Sequence, residues 1–168
     1  TIYVELAPEQ RTLYEEQRSS LARLLGKNYL TELDRRRILA CLVTLRMICN
    51  STFLYDKQTR CSPKLDEFAE LVPELLNDGR HKLVVFSQWE TMILQTAEVL
   101  NKLGLGYLIL HGGLPGKDRQ EILRQFHTDP ECRVFLSTDA GGTGLNLQVA
   151  DTVINLELPW NPAVLEQR

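Results

Sequence analysis

The strongest constraint on the fold is a regular alternation of short apolar runs and helical stretches after residue 62. Two helical stretches, about Glu90–Leu103 and Pro115–His127, separate the first three runs. Buried strands that alternate with helices form parallel sheets whose faces the helices cover. The sequence therefore predicts an α/β lobe built on four parallel strands, which are Leu83–Phe86, Tyr107–Leu110, Val134–Leu136 and Thr152–Leu156. The continuous apolar run of the first strand predicts burial on both of its faces.

The beginning of the chain has a helical pattern instead. Pro8 stands at a typical first helical position, and Thr31 followed by Asp34 resembles a capping box that starts a second helix. The apolar stripe that follows, from Leu39 to Ile48, is too wide for a lone surface helix, and we expect it to pack on the rest of the chain.

The stretch from Asn50 to Pro63 is polar, and we expect an irregular connector there. Ser62 followed by Pro63 then predicts the start of a helix that Gly79 ends. These signals divide the chain into a helical segment at 1–61 and an α/β lobe at 62–168.

Composition excludes several classes of protein. Hydrophobic residues make up 43% and charged residues 24% of the 168 residues, which is ordinary for a globular domain and unlike a disordered tail. No apolar run approaches the roughly 18 residues of a membrane span, and the first residues do not resemble a signal peptide. The four cysteines lack metal-site spacing, which favours reduced thiols and an intracellular protein and predicts no metal site.

Charge is unevenly distributed along the chain. Residues 1–60 hold 10 Lys and Arg against 7 Asp and Glu, whereas residues 61–168 hold 9 against 15. The net charge of −3 argues against a globally basic nucleic-acid binder. If the α/β lobe binds nucleic acid, local donors and backbone amides must do so rather than bulk charge.

Small polar and glycine residues follow the predicted strands. In parallel sheets, ligands bind at the carboxyl ends of the strands, and short donors and bare amides suit phosphate groups. Ser137–Gly144 is the strongest such segment, because three of its last four residues are glycine. It is not a Walker A loop, since the chain has no Gly-Lys-Ser/Thr sequence. On these residues alone, the segment is either a phosphate-facing loop or a turn that needs glycine.

The ordered set of these loops resembles the second RecA-like lobe of Swi/Snf-type ATPases, which belong to superfamily two of the helicase-related proteins. Residues 82–89 resemble motif IV, and His111-Gly112-Gly113 resembles motif IVa. The stretch from Ser137 to Leu147 resembles motif V, and Trp160-Asn161-Pro162 resembles the signature before motif VI. Upstream, Ser62-Pro63-Lys64-Leu65 resembles the entry to this lobe.

The resemblance implies an enzyme that hydrolyses ATP between two RecA-like lobes and moves along duplex DNA. It implies ATP and Mg²⁺ as cofactors, with Mg²⁺ held by a first lobe that these residues do not contain. It also implies three partners, which are duplex DNA, the first lobe and a DNA-bound protein substrate. We expect no membrane partner, and a location in the cytoplasm or nucleoid of a prokaryote or the nucleus of a eukaryote.

The resemblance further implies roles for individual residues. We expect DNA-backbone contacts near Phe86, Ser87, Gly112, Arg119 and Thr138, although Arg119 could instead orient its helix. The nucleotide side of the interlobe cleft would be lined by Gly142, Gly144 and Asn146. The chain ends where motif VI begins, so its arginines would follow Arg168. We therefore expect a fragment that has no ATPase activity alone.

One departure from the family pattern and two alternatives remain. Asp139 stands where many members of the family have lysine, which removes a positive charge beside the expected DNA phosphate. One alternative is a lobe of another superfamily-two RNA or DNA helicase, against which Trp160-Asn161-Pro162 argues. The other is a non-catalytic module that binds a protein through the stripe from Leu39 to Ile48.

Overall fold

A computed structural model describes residues 1–79, 81–110, 116–138 and 146–167 of the chain. It divides into two compact units, Thr1–Glu67 and Phe68–Arg168. The helices and strands, in chain order, are α1 Pro8–Leu25, α2 Glu32–Asn50, α3 Thr52–Asp56, α4 Pro63–Leu75, β1 Leu83–Ser87, α5 Glu90–Lys102, β2 Gly106–Leu110, α6 Gly116–Thr128, β3 Cys132–Thr138, β4 Thr152–Asn155 and α7 Pro162–Gln167.

The first unit is a pair of packed helices, α1 and α2, followed by the short helix α3. Gln10 of α1 is buried and joins the two long helices, because its Nε2 donates to the Ile48 carbonyl at 2.7 Å. Only part of the expected apolar stripe is buried: Leu45 and Ile48 are buried, whereas Leu39 is largely exposed.

The segment expected to be an irregular connector contains helix α3, so that prediction is wrong for Thr52–Asp56. Ser51 starts the helix, since its hydroxyl accepts a hydrogen bond from the Phe53 amide. The Thr52 amide donates to the carbonyl of Cys61, nine positions later, and the Cys61 amide donates back to the Thr52 hydroxyl. These pairs lie outside the reach of local sequence patterns, which explains why the helix was missed.

The second unit contains a four-stranded sheet in the order β2-β3-β1-β4, and every pairing is parallel. All five residues of β1 are buried, as are six of the seven of β3. Burial on both faces is what continuous apolar runs predict. The chain moves in opposite directions across the sheet from β1 to β2 and from β2 to β3. Right-handed crossovers therefore place α5 and α6 on opposite faces.

Aromatic residues form the core on the face of the sheet that α6 covers. Phe126 of α6 and Phe135 of β3 are fully buried, with ring centroids 5.0 Å apart. Val84, Phe86 and Leu110 complete this cluster. The predicted α/β class with a parallel sheet and flanking helices is confirmed.

Lys82 holds the end of α6 next to this core. Its Nζ donates to the carbonyls of Phe126 and of Asp129, the latter at 2.8 Å. The ammonium also lies 4.9 Å from the centroid of the Phe126 ring. Carbonyls at the carboxyl end of a helix lack partners within the helix. A cation placed there acts as their donor and interacts favourably with the negative end of the helix dipole. Lys82 therefore fixes where α6 ends.

Replacing Lys82 tests this helix-end contact. We expect Lys82→Met to lower the free energy of unfolding of the second unit by about 1–3 kcal/mol, because carbonyls lose a charged donor. Lys102→Met, at the exposed end of α5, is the matched control and should change it by less than about 0.5 kcal/mol. Urea unfolding measures both. Equal effects of the two substitutions would contradict the role of Lys82.

The capping box of α2 makes the first unit sensitive to acid. Asp34 is buried and accepts hydrogen bonds from Lys27 Nζ at 2.6 Å and from the hydroxyl and amide of Thr31. The Lys27 hydrogen bond, followed by those of Thr31, lowers the pKa of Asp34 to about 2. A carboxylate with a lowered pKa stabilises the fold above its unfolded pKa of roughly 3.9, and this contribution is lost as the pH falls toward 2.

Thermal unfolding at a series of pH values tests this contribution. We expect Asp34→Asn to lower the melting temperature at pH 6, and the difference from the unsubstituted chain to shrink between about pH 4 and pH 2. Glu32→Gln removes the same charge from an exposed position in the same helical turn and serves as the control. A constant difference across this pH range would exclude the proposed titration of Asp34.

Candidate nucleic-acid and nucleotide interface

The carboxyl edge of the sheet brings three of the expected DNA-side residues together. The register pairs Ser87, the last residue of β1, with Thr138, the last residue of β3. Phe86 is paired with Ser137 on one side and with Asn155 on the other. Strand pairing thus makes neighbours of Phe86, Ser87 and Thr138, the expected DNA-contact residues of motifs IV and V that the structure describes.

The same edge is a topological switch point. The chain leaves β1 toward β2 on one side, whereas it leaves β3 toward β4 on the other. Connections that leave neighbouring strands in opposite directions open a crevice at the carboxyl ends, and ligands of parallel α/β folds bind there. Ser87 and Thr138 stand at this crevice.

Ser87 is fully buried, and its hydroxyl already has partners. Ser87 Oγ donates to Glu157 Oε2 at 3.2 Å and accepts from the amide of Trp89 at 3.1 Å. The amide of Gln88 donates to the other carboxylate oxygen, Oε1. We call this group the Glu157 clamp: it consists of Ser87, Gln88 and Glu157.

Phe86 faces the core rather than the crevice. The residue is 3% exposed and packs in the aromatic cluster, while its carbonyl accepts from the amide of Leu156 at 3.0 Å. Any role of Phe86 near a phosphate group must come from the position of its backbone. Its observed side-chain contribution is to packing.

The two hydroxyl residues that end β3 are also enclosed. Ser137 is fully buried, and its hydroxyl donates to the carbonyl of Thr138 at 3.0 Å. Thr138 is 7% exposed, so it retains a small accessible surface at the edge. A short hydroxyl at this place is suited to donate to a phosphate oxygen without reading a base.

Arg119 lies in the first turn of α6 and is half-buried. This helix follows β2, so its amino end is on the carboxyl side of the sheet. Lys82 holds the opposite end of the helix. The structure therefore places Arg119 on the carboxyl side of the sheet, on a helix whose other end is held.

Asn146 is exposed and is held at its backbone by α6. The carbonyl of Asn146 contacts Nε2 of His127 at 3.0 Å, and its side-chain Oδ1 accepts from the amide of Gln148 at 3.3 Å. The side-chain amide nitrogen has no part in either of these contacts.

Three predicted site residues lie outside the described residues. They are Gly112, Gly142 and Gly144, and Asp139 also lies outside them. The predicted roles of these four positions remain predictions.

Neither a metal-binding cluster nor a membrane-spanning helix occurs among the described residues. They contain no group of three or more His, Cys, Asp or Glu side chains that could hold a metal ion. In the same part of the chain, no helix has the length and apolar character needed to cross a membrane. All four cysteines are free thiols.

Sequence reasoning missed the two charged residues that organise this region, Lys82 and Glu157. Both flank a strand in the sequence, since Lys82 precedes β1 and Glu157 follows β4. A carboxylate shortly after the carboxyl end of a strand is a signal for a partner at the sheet edge. Which partner it has depends on the pairing of β1 with β4, which the sequence does not show.

Comparisons with known proteins agree with this architecture. A model of the helicase conserved C-terminal domain matches residues 64–168. Protein CHROMATIN REMODELING 19 of Arabidopsis thaliana is 39% identical over 115 residues, which cover 68% of this chain and 15% of that protein. An uncharacterized ATP-dependent helicase of Mycoplasma pneumoniae is 29% identical over 170 residues, which cover 99% of this chain and 16% of that protein.

A solved structure provides a match over nearly all of the chain. The Sulfolobus solfataricus SWI2/SNF2 ATPase core in complex with dsDNA superimposes on this chain with a TM-score of 0.86 and 28% sequence identity. The match covers 96% of this chain and 35% of that one. The chain thus spans a small part of the curated relatives that it matches. From residue 64 onward it belongs to the helicase conserved C-terminal domain family, as the second RecA-like lobe of the Swi/Snf type.

Proposed function

We propose that this chain is part of an ATP-dependent translocase on duplex DNA, in which it supplies DNA-backbone contacts and one wall of the interlobe ATP site. One observation carries the proposal: its similarity to a Swi/Snf-type core that was solved with duplex DNA extends over 96% of the chain. The placement of Ser87 beside Thr138 at the switch point supports it.

The proposed contacts read the DNA backbone and not its sequence. Thr138 would donate its hydroxyl to a phosphate oxygen, and Gly112 would offer an amide. Arg119 would add a positive charge from α6, and Phe86 and Ser87 would shape the adjoining turn. This arrangement needs few charged residues, which fits the net charge of −3.

The nucleotide side would be formed by Gly142, Gly144 and Asn146, with Asn146 facing the ribose. ATP and Mg²⁺ would be held mainly by a first lobe, because the chain has no Gly-Lys-Ser/Thr sequence. We therefore infer that the 168 residues alone do not turn over ATP.

The proposed function also implies where the full-length protein works. Duplex DNA as a partner would place it in the nucleoid of a prokaryote or in the nucleus of a eukaryote. A DNA-bound protein would be the substrate that it moves.

Thr138→Ala in the full-length protein tests the DNA contact. We expect a loss of duplex affinity of about 3- to 10-fold, the effect of one hydrogen bond. Because the contact is to phosphate, the loss should be the same for unrelated DNA sequences. Binding is measured by fluorescence anisotropy at one fixed salt concentration.

The control for this substitution is Thr152→Ala, at the opposite end of the sheet, where β4 begins. It should leave DNA affinity unchanged. A loss confined to one DNA sequence, or an unchanged affinity of Thr138→Ala, would remove the phosphate contact from the proposal.

Asn146→Ala tests the nucleotide side separately. We expect it to raise the KM for ATP by about 3- to 10-fold through loss of a hydrogen bond and to change DNA affinity less. Steady-state ATP hydrolysis with saturating duplex DNA measures this KM. Asn101→Ala, an exposed asparagine at the end of α5, is the control, and a larger effect on DNA affinity than on KM would reverse the assignment of Asn146.

A further inference from the structure

The Glu157 clamp joins two segments that the chain order keeps far apart. Ser87 and Gln88 lie where β1 ends and before α5 begins, whereas Glu157 lies between β4 and α7. Each oxygen of the Glu157 carboxylate accepts one hydrogen bond from the turn after β1, from the Ser87 hydroxyl and the Gln88 amide respectively. Both segments are thereby fixed to each other at the crevice.

The strand pairing brings these two segments together and the carboxylate then holds them. β1 and β4 are paired up to Phe86 and Asn155, and the amide of Leu156 still donates to the Phe86 carbonyl. Beyond that bond the ladder ends, so the clamp supplies the next connection. A carboxylate is the side chain suited to this place, because it accepts two donors at once and makes stronger bonds than a neutral acceptor.

The clamp also limits what Ser87 does by itself. Its side chain is fully buried, and its single hydroxyl proton is donated to Glu157. A hydroxyl has one proton to donate, so Ser87 in this arrangement has none left for a phosphate oxygen. Its effect on DNA must then come from the shape of the turn that it holds.

We propose that Glu157 is a positioning residue, which ties the DNA-side turn after β1 to the segment that leads into α7, and that Ser87 acts through Glu157. The segment runs through Leu158 and Trp160, both largely exposed, and enters α7 at Pro162. The clamp therefore transmits a displacement of the DNA-side turn to α7. We also expect the clamp to affect the rate of ATP hydrolysis, and this expectation rests on the proposed function, whereas the positioning contact itself does not.

The first experiment measures the contact in the 168-residue chain without any ligand. We expect Glu157→Ala to speed hydrogen exchange at the Gln88 amide by about tenfold or more, because a protected amide opens to water. The amide of Leu136, inside β3, should keep its exchange rate. Unchanged protection of Gln88 would overturn the clamp, and so would faster exchange of both amides to the same extent, since that reports general destabilisation.

The second experiment uses the full-length protein and the rate of ATP hydrolysis at saturating duplex DNA. We expect Glu157→Ala to lower this rate about tenfold, the size of one lost charge-assisted hydrogen bond. Glu157→Gln should stay within about threefold of the unsubstituted protein, because its amide retains one acceptor for Gln88 and one donor for Ser87. Glu90→Ala, an exposed carboxylate at the start of α5, is the matched control and should have no effect.

A double variant decides whether Ser87 acts through Glu157. We expect Ser87→Ala with Glu157→Ala to be no slower than Glu157→Ala alone, because both remove the same connection. If Ser87→Ala lowers the rate by the same factor with and without Glu157, Ser87 contacts DNA directly and the proposal is overturned. Equal rates for Glu157→Gln and Glu157→Ala would also overturn it.

A protein whose ATP hydrolysis DNA does not stimulate, with or without these substitutions, would refute the proposed function. The exchange result at Gln88 would still decide whether the clamp exists.

Discussion

Strand β1 is hydrogen-bonded on both sides, and the rest of the lobe depends on this double pairing. Its register with β3 sets Ser87 beside Thr138, and its register with β4 sets Phe86 beside Asn155. Because β1 is buried along its whole length, a shift by one residue would exchange its two buried faces. The same pairing that forms the core therefore also fixes the residues at the crevice.

Charged residues beyond both ends of β1 complete its neighbourhood. At the amino end, Lys82 binds carbonyls at the end of α6. At the carboxyl end, the Glu157 clamp holds the turn after the strand. One end thus fixes the helix that carries Arg119, and the other fixes the turn that begins α5. Two side chains for which the sequence predicted no contact, Lys82 and Glu157, thus position the residues at the crevice.

Much of the fold could be predicted because its signals are local. The four apolar runs, Pro8 and Pro63 at helix starts and the Thr31–Asp34 capping box all correspond to observed elements. Helix α3 was missed because its support comes from Cys61, beyond the reach of local patterns. A parallel sheet places Ser87 and Thr138 at the same edge, whereas their adjacency and the contact of Ser87 with Glu157 depend on the strand order, which chain order alone leaves open. The division of the chain at residues 61 and 62 remains a prediction.

The most direct test of the account is the rate of ATP hydrolysis by the full-length protein with no nucleic acid, with duplex DNA and with duplex RNA. The account predicts strong stimulation by duplex DNA and little by RNA, because it assigns the lobe to a translocase that follows the DNA backbone. Stimulation by RNA would assign the protein to another helicase branch. Absence of hydrolysis under all three conditions would contradict the enzymatic account and favour a protein-binding module.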